Sequence, residues 1–201
     1  MPSQNLWDNI GGTWDVMLGR PQGLARVDTS SDGVWFSFAG LLVAGLVDAS
    51  VLSARHGPLF AAGSVEVGKL GFMAGSLFSA FFAYALSMAF LYLLCRQPDE
   101  TGRYSNALIL HNWASSIVSV ALLPLSLFWV ATGTQDSTLG VVLMLAIIGF
   151  VGLAGVRMVR IGLEVSPLRA LALFLLTMLL SLVVDYYLRH WLGVAVTVSP
   201  A

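Results

Sequence analysis

The chain has 201 residues, 57% of them hydrophobic and only 10% charged. A soluble domain carries roughly 25% charged residues, so this composition excludes a soluble core and describes a polytopic membrane protein. A net charge of −1 gives nucleic acid no purchase, and the single cysteine, Cys95, excludes an intrachain disulfide or a Cys-rich metal site.

Residues 1–32 form an N-terminal segment that is cytoplasmic or interfacial on this reading. It has no basic stretch followed by an apolar core, so no cleaved signal peptide is expected. Leu6, Trp7, Ile10, Trp14, Met17 and Leu18 share one helical face, with Asp8, Asn9 and Asp15 away from it. A short amphipathic helix is predicted, either lying in the headgroup layer or packed on the bundle, with Gly11-Gly12 interrupting it. Arg20-Pro21-Gln22-Gly23 ends it with turn chemistry. The run Asp28-Thr29-Ser30-Ser31-Asp32 supplies caps for the first membrane helix.

Five stretches are long and apolar enough to cross a hydrocarbon core: about 33–54, 70–95, 106–131, 139–156 and 168–188. Unpaired backbone groups are too costly in lipid, so each is predicted to be helical. The fold class is therefore all-α, a transmembrane bundle of five helices over residues 33–192, with 193–201 a short external tail. The connection from Arg55 to Lys69 holds Pro58-Leu59-Phe60-Ala61-Ala62, apolar enough to dip into the interface. Five spans put Arg20, Arg26, Arg96, Arg103, Arg157, Arg160 and Arg169 on one side, and Arg55, Lys69 and Arg189 on the other. The positive-inside rule then places the N-terminus in the cytoplasm and the C-terminus outside. Lys69 is the only lysine, a bias of GC-rich bacterial genomes, so the expected location is a bacterial inner membrane.

Ionisable and polar groups within spans are costly and mark candidate sites. Asp48 lies two turns before Arg55 in the first span. Asp185 and Arg189 form an acid-first i,i+4 pair near the end of the fifth, beside the aromatic residues Tyr186, Tyr187 and Trp191. The third span carries His111-Asn112-Trp113. Asn112 is suited to bonding across helices, and His111 to changing charge near neutral pH. Trp113 and Trp129 are about 24 Å apart along a helix, close to the spacing of two interfacial belts, which puts His111 and Asn112 in the headgroup layer. Pro124 is expected to kink this span. Small residues mark helix packing: Gly71 and Gly75 form a GxxxG extended by Gly68 and Ser79, and Gly149, Gly152 and Gly155 recur at three-residue spacing. These faces suit contacts inside one bundle or a homo-oligomer. No HExxH, G-x-S-x-G, P-loop or paired-His set is present, so no enzyme, cofactor or metal site is expected.

The segment Arg20-Pro21-Gln22-Gly23-Leu24-Ala25-Arg26, leading to Asp28-Thr29-Ser30-Ser31-Asp32 and Trp35-Phe36-Ser37-Phe38, together with Asn112-Trp113-Ala114, resembles the five-span Yip family, especially its bacterial branch. The Asp-Leu-Tyr-Gly-Pro motif of the eukaryotic trafficking members is not present. The resemblance implies a membrane-organising role through lipids or other membrane proteins, without catalytic residues. The alternative is a small proton- or ion-coupled transporter or channel, alone or as an oligomer, using Asp48 with the polar groups of the third and fifth spans.

Overall fold

The computed structural model describes residues 5–57, 60, 67–95 and 98–194, with side chains at 98–101 and 136 outside the description. The described chain is all helix and connections, without a strand. A short helix, α1 (Leu6–Met17), and a 3-10 turn (Pro21–Arg26) precede five long helices: α2 (Ser31–Arg55), α3 (Lys69–Leu94), α4 (Pro98–Thr132), α5 (Thr138–Leu163) and α6 (Pro167–Trp191). All five are long and apolar enough to span a membrane.

Side-chain caps start most of these helices. Ser30 Oγ accepts from Gly33 N at 3.1 Å, Ser137 Oγ from Gly140 N at 3.1 Å, and Ser166 Oγ from Arg169 N at 3.4 Å. Each bond satisfies an amide that the helix itself leaves unpaired. Two spans outrun their predicted limits. The third begins at Pro98 and continues through Pro124 without a break. The fourth runs on to Leu163, past Arg157 and Arg160, whose long stems let their charged heads lie beyond the apolar layer. It stops where Glu164 takes a left-handed conformation, φ 53°.

The long helices close into a ring, in the order α2, α4, α5, α6, α3 and back to α2. One end of the ring is plugged by the N-terminal segment. Val16 and Met17 of α1 are fully buried among Ile109, Leu110, Trp113, Ala154 and Met158. The predicted amphipathic helix is thus docked on the bundle, although Trp7 remains 73% exposed. Gly12 does not interrupt it. A β-carbon there would collide with the carbonyl of Gly23, and one at Gly23 with the carbonyl of Gly12, so two glycines permit this backbone crossing. Asp15 holds the turn from both sides, accepting from Arg20 at 3.2 Å and Arg26 at 3.1 Å. Most of the predicted 55–69 interfacial dip, Cys95's neighbour Arg96 and most of the C-terminal tail lie outside the described residues.

Candidate functional site

Asn112 is completely buried, and its amide joins three helices. Its Nδ2 donates to Ser37 Oγ of α2 at 2.8 Å. Its Oδ1 accepts from the hydroxyl of Tyr84 on α3. Ser37 Oγ in turn donates to the Val34 carbonyl at 2.7 Å. A glycine allows the close approach beside it: Trp113, 3% exposed, lies against Gly40 and meets the ring of Phe36 edge-on at 5.4 Å. Trp113 is therefore a core residue and not a belt residue. Asn112 is likewise an interior junction residue, and α4 begins at Pro98, before the predicted start of its span at 106.

His111 occupies a different environment from its neighbour. Its ring stacks on Tyr84 at 5.3 Å and 19°, and its nitrogens have no hydrogen-bond partner among the described residues. It stands in the shared wall of two cavities. The first, about 150 Å³, lies between α3, α4, α5 and α6; its wall is mainly apolar and carries Tyr84, Ser87, Thr177 and Ser181. The second, about 230 Å³, carries Ser115, Ser119 and Asp48. Gly155, Met158 and Phe174 border both. A β-carbon at Gly155 would overlap the ring of Phe174, so this glycine seats the aromatic partition between the chambers.

Three of the hydroxyls in these walls share one orientation. Ser87 Oγ donates to Ala83 O at 2.8 Å, Ser115 Oγ to His111 O at 2.9 Å, and Thr177 Oγ1 to Leu173 O at 2.9 Å. Each of the three gives its hydrogen to its own helix, leaving lone pairs for the cavity. Such lone pairs suit water, protons and cations. Both chambers can hold water by volume, and their walls offer it polar partners.

Asp48 is exposed on the single chain, but it faces Ser119, whose hydroxyl is placed to donate to it. It is not the deeply buried carboxylate that its sequence position suggests. It joins the second chamber to a groove along α2 and α4 that passes Ser126 and Arg55. Asp185 is not part of this system. It pairs with Arg189 at 2.7 Å, as the i,i+4 spacing predicts, and accepts from Ser79 of α3 at 2.7 Å. That makes it a fastener between α3 and α6.

The predicted packing glycines divide. Gly155 is in close helix contact, and Gly75 lies under the side chain of Val194. Among the described residues Gly71 touches only Val67 of its own connection, and Gly149 and Gly152 meet nothing. The last three therefore pack against no other described helix. Sequence reasoning missed Tyr84, Ser115, Thr177 and Phe174. Each is a single polar or aromatic residue in an oily run, and only Ser115 and Ser119 carried a signal, as an i,i+4 continuation of His111. No family model matches the sequence, and no curated protein or solved structure matches it.

Proposed function

We propose that this membrane protein is a small transporter or channel that moves protons or small cations, with His111, between two mainly apolar cavities that carry scattered polar groups, as its central group. The observation that carries this reading is a line of polar groups set in otherwise apolar walls: groove, Asp48, Ser119, Ser115, His111, then Tyr84, Ser87 and Thr177. Intramembrane ionisable groups that face a cavity mark ion and proton paths. An imidazole can take a proton on one nitrogen while releasing it from the other. The reading assigns no covalent chemistry to the protein. The arginine distribution supports an inner-membrane location with the α1 end cytoplasmic. The test is proton and monovalent-cation flux in proteoliposomes. Asp48→Asn is expected to lower or re-tune the pH dependence of that flux, and absence of flux from the unmodified protein would sink the proposal.

A second reading, a membrane-organising role of the Yip kind, is favoured by the open face of α5 around Gly149 and Gly152, which leaves a close-approach surface for another membrane protein or a second copy. Purification in mild detergent separates it: recovery only as a lone monomer without lipid or protein partner counts against it.

A further inference from the structure

The arginine-rich end of the bundle holds a groove unrelated to the chambers. It lies between the 3-10 turn after α1 and the last turns of α5, and encloses about 680 Å³. Arg157 and Arg160 line it on one side, and Leu18, Leu24, Ile161 and Val165 supply apolar wall. Arg157 is half-buried. One of its nitrogens donates to the Met17 carbonyl at 3.0 Å, which fixes the guanidinium, and the guanidinium lies beside Gly19. Gly19 has φ +85°, a conformation that admits this turn at little cost. Arg160 is exposed and has no acidic partner among the described residues. Glu164 is the groove's carboxylate, and it is engaged by Arg103 at 3.1 Å, which adds a third guanidinium at the rim.

We infer that this groove binds the phosphate of an anionic headgroup, with Arg157 and Arg160 as its ligands. A guanidinium presents several N–H donors in a plane and matches phosphate oxygens in pairs. Arg157 is pre-oriented by its bond to the end of α1, so little order is lost on binding. The apolar wall next to the two charges fits the glycerol and upper chain of a phospholipid, which free phosphate would leave unfilled. Basic pockets between membrane helices on the cytoplasmic side recognise anionic lipids in this way. Bound there, the lipid would tie α1 to α5 and hold the plug on the bundle.

The experiment uses the full chain in detergent, analysed by native mass spectrometry with equal phosphatidylglycerol and phosphatidylcholine. The unmodified protein is expected to retain phosphatidylglycerol at least about fivefold better. Arg160→Gln is expected to bring the two lipids to near parity. Equal retention of both lipids by the unmodified protein, or an unchanged preference in Arg160→Gln, overturns the inference. Excess inorganic phosphate forms the second arm: failure to displace the lipid supports the lipid as ligand. Binding of phosphate that is lost in Arg160→Gln, without any lipid preference, assigns the site to the free anion and overturns the lipid.

Discussion

At the scale of single residues, Asn112 and Asp185 do similar work with different chemistry. Asn112→Ala leaves the Tyr84 hydroxyl and Ser37 without their shared partner in the interior. Its cost is expected at about 1–3 kcal/mol, and that of Tyr84→Phe at about 0.6–1.7 kcal/mol, the range of interhelical bonds in membranes. Reversible unfolding in mixed detergent micelles measures both, and a neutral Asn112→Ala contradicts the three-helix junction. At Asp185 the two partners separate. Arg189 and Asp185 are 25% and 29% exposed, so Arg189→Ala is expected to change stability by about 0.5 kcal/mol or less. Ser79 is fully buried, and Ser79→Ala removes a bond between helices, for about 0.6–1.7 kcal/mol. The reverse order of effects would mean that the surface pair, and not the α3–α6 fastener, matters.

At the scale of helices, glycines with the same sequence spacing have opposite consequences. Gly155→Val drives a branched side chain into the Phe174 ring and is expected to cost about 1–3 kcal/mol, with the partition between the chambers displaced. Gly149→Val meets nothing within the bundle and is expected to stay within about 0.5 kcal/mol in a monomeric micelle. Equal effects of the two, measured by thermal unfolding, would contradict the assignment of faces. The comparison also shows what the sequence could convey. Composition and length specify the five spans, because a run of apolar residues long enough to cross lipid needs no partner to be recognised. Helix caps at Ser30 and the Asp185–Arg189 pair were legible because they are local. Rotation of each helix about its axis was not. The spans are apolar nearly all round, so no stripe distinguishes an inward face. Trp113 illustrates this: alone it reads as a belt residue, and only Gly40, on another helix, shows it to be core. Asn112 was conspicuous, but its partners lie 28 and 75 positions away in the chain.

At the scale of the whole molecule, a ring of five helices with an N-terminal plug leaves two cavities, mainly apolar but each carrying polar groups, beside His111. Packing alone does not call for an unbonded imidazole between two cavities. On the proposed transport role, α4 carries His111, Ser115 and Ser119 on one side toward the cavities and Asn112 toward the junction beside them. His111→Leu is the sharpest probe, since the imidazole makes no hydrogen bond to the described residues and its replacement keeps an apolar side chain in place. The most direct measurement is proton and cation flux in proteoliposomes for the unmodified protein and for His111→Leu, with the unfolding midpoint of each recorded alongside. The account predicts flux from the unmodified protein and at least about a tenfold loss in the variant, about 1.4 kcal/mol in barrier, at a similar midpoint. Unchanged flux in a folded His111→Leu protein would contradict it.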